Sequence, residues 1–107
     1  MNKIIASVGA LVFATSAWAW QQTGAGTITY LGSGWNADAI FVATTAQQLS
    51  GTGCASSAYY TTDPTSAERK AHHAVLLMAH ATGKAVVITV DGCYGNCPRI
   101  IGVGVIG

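Results

Sequence analysis

The side chains able to do chemistry are few: three cysteines (Cys54, Cys93, Cys97), three histidines (His72, His73, His80) and four carboxylates (Asp38, Asp63, Glu68, Asp91) in 107 residues. On a helix His73 and His80 share a face but stand about 10.5 Å apart along its axis, too far to clasp one metal ion. His72 and His73 diverge by about 100°. No cysteine pair has the C-x-x-C spacing of structural zinc sites. The histidines therefore read as solvated helix residues, and neither a metal nor another cofactor is expected. The carboxylates are scattered, with Asp63 and Glu68 explained by helix capping. Gly24-Ala25-Gly26 lacks the strand before and the helix after that a dinucleotide fingerprint needs. With no nucleophile, base and orienter standing out, the chain is not expected to be an enzyme.

The cysteines have a more ordinary use. Residues 1–19 combine a short basic start (Asn2, Lys3), an apolar run from Ile4 to Ala14, and Ala17-Trp18-Ala19. That is the pattern of a secretory signal peptide cut after Ala19, and the apolar run is shorter than the roughly 20 residues of a membrane span. The expected location is secreted or periplasmic, where thiols oxidise. A Cys93–Cys97 ring would close a very small loop. Linking Cys54 to the turn at 93–97 closes a loop of about 40 residues, worth on the order of 3–4 kcal/mol in the chain-entropy model. The favoured bridge is Cys54 to Cys93, leaving one thiol over.

The chain from Trp20 to Gly107 is one small domain, and its basic residues (Arg69, Lys70, Lys84, Arg99) equal its acidic ones, so its formal charge is zero. Such a surface releases few counterions from a phosphate backbone, which argues against nucleic acid. It equally argues against polybasic membrane binding, and no membrane insertion is expected. So short a domain buries little more than about 60% of its unfolded surface, and a disulfide or a subunit interface is the usual supplement.

The elements that position these residues are three strands, one helix and two strands. Thr27–Leu31 alternates, with Ile28 and Tyr30 on one face; Ile40-Phe41-Val42 marks a second strand within 38–45, and 58–62 a short third. A helix is predicted from Pro64 to Thr82, opened by a Thr65-Ser66-Ala67-Glu68 capping box and closed by Gly83. Ala67, Ala71, Ala74, Val75, Met78 and Ala81 form the stripe expected to face the core, with Leu77 at its edge. Arg69, His72, His73 and His80 lie opposite, with Leu76 among them. Strands at 85–90 and 99–106 follow; Ile101, Val103 and Val105 share a face of the last, thinned on the other by Gly102 and Gly104. This order suggests a mainly β protein with one helix, a small five-stranded oligonucleotide/oligosaccharide-binding (OB) barrel of the order β-β-β-α-β-β. The alternative is a generic α+β sheet with a helix across it.

In such a barrel the loops joining strands 1 to 2 and 4 to 5 flank the binding face. The first holds Ser33, Trp35, Asn36 and Asp38, the second Asp91, Tyr94 and Asn96. Aromatic faces beside amides and carboxylates suit a saccharide, although turns also favour Gly, Asn, Asp and Ser. Tyr59 and Tyr60 point to opposite sides of the third strand, one to the core and one free for ligand. The candidate ligand contacts are Trp35, Asn36, Asp38, Tyr60, Tyr94 and Asn96.

The runs Ser66-Ala67-Glu68-Arg69-Lys70-Ala71, Leu76-Leu77-Met78-Ala79, Thr82-Gly83-Lys84-Ala85-Val86, Asp91-Gly92-Cys93 and Pro98 to Val103 resemble the family of small secreted bacterial proteins similar to the B subunit of subtilase cytotoxin. The likeness covers about the last 45 residues, and the first two strands agree in layout. It implies the same barrel, assembled as a homopentamer that binds sialylated cell-surface glycans and delivers a catalytic toxin A subunit. The helix would then line the central pore, presenting Leu76, His73 and His80 to neighbouring subunits. Histidines converging in a ring would respond to pH near 6.5. The serine and acidic residue that toxin members carry near the first strand do not align with Thr27 to Leu31. A structural or inhibitor protein that keeps the barrel and binds no sugar is the alternative.

Overall fold

A computed structural model describes residues 20–34, 37–56 and 58–107; the leader reading at 1–19 falls outside them. The described residues are mainly β with one helix, in the order β1 (Gln21–Gln22), β2 (Gly26–Gly34), β3 (Ala37–Thr44), β4 (Tyr60–Thr61), α1 (Arg69–Thr82), β5 (Ala85–Tyr94) and β6 (Cys97–Ile106). The expected five strands are present, with β1 added before them. Gln21 and Gln22 pair with Val90 and Thr89 of β5, and Gln22 Nε2 donates to Thr89 Oγ1 at 3.0 Å. Two glutamines carry no apolar periodicity, so nothing in their types announces a strand.

The sheet order is β1-β5-β2-β3-β4-β6, with β5 also paired to β6. All pairings are antiparallel except β4 with β6, which run parallel where Thr61 meets Arg99. Two extra residues decide which side chains face inward. Ile28 is opposite Thr44 while Tyr30 is opposite Ala43, so Thr29 bulges out of β2. The bulge breaks the period of two: Ile28 and Leu31 pack against the core, and Tyr30 is turned to the surface. Likewise Val90 is opposite Ile100 and Thr89 opposite Gly102. The bulge at Ile101 leaves that residue exposed and buries Ile100 instead, correcting the expected grouping of Ile101 with Val103 and Val105.

The core joins Ile40, Val42, Tyr60, Val86, Ile88, Val90 and Ile100 from the strands with Leu76 and Ala79 from the helix. Gly26 lets β2 approach the chain after β3, because a methyl there would meet the backbone nitrogen and Cβ (3.0 Å) of Ala46.

The helix begins later than expected, at Arg69, and Glu68 makes no side-chain capping bond. The capping box is replaced by a turn in which Asp63 Oδ1 accepts from the Thr65 N–H (2.8 Å) and hydroxyl (2.7 Å). Gly83 closes the helix in the left-handed conformation at φ 70°, as glycine at this position does. The larger correction is rotational. Leu76 is fully buried (0% exposed), while Leu77 (54%) and Met78 (45%) face solvent. Arg69, His73 and Leu76 share a face at spacings of four and three. The first two find partners under the helix: Arg69 Nε donates to Asp38 Oδ2 at 2.8 Å, and His73 Nε2 lies 2.8 Å from Thr62 Oγ1. Leu76 therefore goes inward with them, and of the predicted stripe Ala67, Ala71, Ala74, Met78 and Ala81 are left exposed and Val75 half-buried.

Cys54 and Cys93 form the disulfide, across a sequence separation of 39 residues. Cys97 is free and buried. Cys97 is opposite Tyr94 and Pro98 opposite Cys93. Successive strand residues alternate in direction, so Cys97 shares its face with Tyr94 and Cys93 points to the other side, toward Cys54.

Candidate functional site

Tyr30, Phe41, Tyr59 and Tyr94 surround a hollow of about 520 Å³, completed by Gly95, Asn96 and Cys97. Each wall has a local cause. Tyr30 is delivered by the bulge at Thr29. Phe41 sits on β3 opposite Gly32 of β2 and Thr61 of β4. Tyr94 and Asn96 are held by the β5–β6 turn, where Gly95 takes φ 61°. The Cys54–Cys93 bridge ties that turn to the loop between β3 and β4, whose end carries Tyr59.

The tyrosines are arranged as a corner. The Tyr30 and Tyr59 rings have centroids 5.0 Å apart and planes tilted by 48°, within the preferred range for aromatic pairs. Gly32 makes this possible: a methyl there would fall 2.7 Å from Tyr30 Cζ, so the Tyr30 ring lies against bare backbone. The Tyr30, Tyr59 and Tyr94 hydroxyls and the Asn96 side-chain amide make no hydrogen bond to another described residue, while the Asn96 backbone carbonyl accepts from the Ser56 N–H at 2.7 Å. Chemically the hollow offers stacking faces and neutral groups that both donate and accept.

Of the sequence candidates, Tyr94 and Asn96 line this hollow and Trp35 and Asn36 lie outside the described residues. Tyr60 is not at the surface: it is 1% exposed, and its hydroxyl accepts from the Leu49 N–H at 3.0 Å. Its neighbour Tyr59 takes the surface position. Asp38 does not line the hollow either; the Arg69 guanidinium beside it holds its carboxyl below the usual carboxylate range. Tyr30 and Phe41 were missed. The β2 alternation assigned Tyr30 to the Ile28 face, and only the bulge separates them.

The expected subunit-contact set also divides. Leu76 is core, and His73 is half-buried beneath the helix, leaving His80 exposed. Burial lowers the His73 pKa below its ordinary value, and the nearby Asp38 charge opposes this. Thr62 Oγ1 also accepts from the buried Ile40 N–H at 2.8 Å, linking the histidine to the edge of the core.

A second hollow, about 350 Å³, is polar and includes Asp63, Ser66, Glu68, His72 and Arg99. Its groups largely satisfy one another. Arg99 Nη1 donates to Asp63 Oδ2 at 3.4 Å and its Nε to the Asp91 carbonyl at 3.1 Å, while the Ser66 hydroxyl donates to Glu68 Oε1 at 3.0 Å. Bonds from the Thr65 N–H and hydroxyl, joined by Arg99, hold the Asp63 carboxyl below the usual range. Among the described residues no three His, Cys, Asp or Glu side chains could jointly hold a metal ion, and no helix is long and apolar enough to cross a membrane.

Comparison of the sequence with family models and with curated proteins finds no match.

Proposed function

We propose that the protein is a secreted, noncatalytic saccharide-binding module of the toxin-B-subunit type, built on an OB barrel and working as a homo-oligomer. The aromatic hollow carries the proposal. Three tyrosines and Phe41 supply flat faces for the C–H side of a pyranose, and phenols and the Asn96 amide that no described residue engages stand ready for its hydroxyls. Its place supports the same reading, since it adjoins the first hairpin and the turn between the last two strands, where OB barrels bind ligands. The pairings support the barrel: β2 with β3, β3 with β4, β4 with β6, β6 with β5 and β5 with β2 make a circuit.

Self-association draws on the outward face of α1. Ala71, Ala74, Leu77, Met78 and Ala81 are all exposed, with Lys70 the only charge among them. A contiguous apolar helix face marks a protein contact, and a second copy of the chain is the occupant that the resemblance to pentameric B subunits implies. A catalytic A subunit is the further partner it implies.

A glycan array tests the proposal. The wild-type protein is expected to give hits that Tyr59→Ala abolishes while its melting curve is unchanged. A folded oligomer with no hits would leave a structural or inhibitor protein that acts through its helix face.

A further inference from the structure

We infer that the aromatic hollow selects neutral saccharides, and that a sialylated or otherwise anionic sugar gains nothing by entering it. The inference rests on the saccharide reading and names its ligand class. A carboxylate leaving water for an apolar wall carries a desolvation cost that a cation can offset, whereas neutral phenols and one side-chain amide offset it only in part. Arginine and lysine are the usual receivers. Among the described residues no charged side chain lines the hollow. Arg69 is bonded to Asp38, and Arg99 to Asp63 and the Asp91 carbonyl. Lys70 lies on the exposed side of the helix and Lys84 just beyond its end. None of these four lines the hollow.

What the hollow does hold matches uncharged hydroxyls. A phenol and a sugar hydroxyl each donate and accept, so either can adapt to the other. The Tyr30, Tyr59 and Tyr94 hydroxyls and the Asn96 amide lie around apolar ring faces, the arrangement that suits a pyranose with one C–H face and a polar rim. The volume of about 520 Å³ falls within the roughly 300–1,000 Å³ of small-ligand sites. Gly32 is a positioning residue here. Its missing side chain seats the Tyr30 ring, and Gly32→Ala displaces an exposed ring without entering the core.

The test titrates the protein calorimetrically with matched oligosaccharides, each neutral sugar paired with its sialylated counterpart, alongside Tyr59→Ala and Gly32→Ala. The neutral member is expected to bind at least as tightly as its sialylated partner. Both variants should weaken it about tenfold or more, roughly 1.4 kcal/mol, with melting curves close to wild type. Sialylated members binding about tenfold more tightly would overturn the neutral class and leave the saccharide reading standing. Binding that neither variant alters would place the sugar elsewhere and overturn the assignment to this hollow. No binding by any oligosaccharide would overturn both.

Discussion

The hollow beside the β5–β6 turn is concave and aromatic, edged with hydroxyls that no described residue engages. The outward face of α1 is convex and aliphatic, built from Ala71, Ala74, Leu77, Met78 and Ala81. Both expose apolar surface, but they ask for different partners. A face of methyl and thioether groups has nothing to offer a polar ligand and is best covered by another protein surface. A hollow with phenols and an amide can satisfy a polar ligand while covering its apolar side. In the function proposed, this difference would separate recognition from assembly within one small chain.

The bridge gives the largest expected effect on this division, because it pins only the hollow's end of the molecule. Replacing Cys54 and Cys93 with alanine should cost about 4 kcal/mol of stability, as the chain-entropy model gives for a loop of this length, read by urea denaturation. It should also weaken saccharide binding more than self-association. Next, Leu76→Ala is expected to cost on the order of 3 kcal/mol as a buried leucine truncation, while Leu77→Ala leaves monomer stability nearly unchanged. Equal losses at the two positions would mean that the helix is rotated from the orientation described. Leu77→Glu with Met78→Glu should lower the native mass measured by light scattering and spare saccharide binding.

The smallest effect is a pH dependence on the inner side of the helix. An unfolded histidine titrates near 6.5, whereas burial holds folded His73 lower. As pH falls through 6.5 the unfolded chain takes up a proton that the folded chain refuses, so stability declines toward acid. His73→Gln should flatten the change in melting temperature between pH 7.5 and 5.5. An unaltered slope would show that His73 does not supply it.

Much of this frame was legible in residue types. The order of the five main strands and the helix followed from β-branched runs, and Gly83 marked the helix end. Loop entropy favoured tying Cys54 to the 93–97 turn, and Cys54 and Cys93 are the pair found bridged. The helix face was not legible, because alanines made one side look like core while Arg69 and His73 made the other look wet. Those polar residues are partnered from below by Asp38 and Thr62, contacts between residues distant in sequence that no periodicity encodes. The hollow was half legible. Tyr94 and Asn96 stood in a recognisable turn, and Tyr59 and Tyr60 were seen to diverge, but Tyr60 proved to be the inward one. Tyr30 was hidden by a single bulged threonine that shifts the strand's alternation.

The proposed function turns on a saccharide sitting in the tyrosine-lined hollow. The most direct measurement is a side-by-side calorimetric titration of wild-type protein and Tyr59→Ala with a neutral oligosaccharide that the wild type binds. An affinity loss of about tenfold or more is expected in a variant that melts as the wild type does. Equal affinity in the two proteins would contradict it.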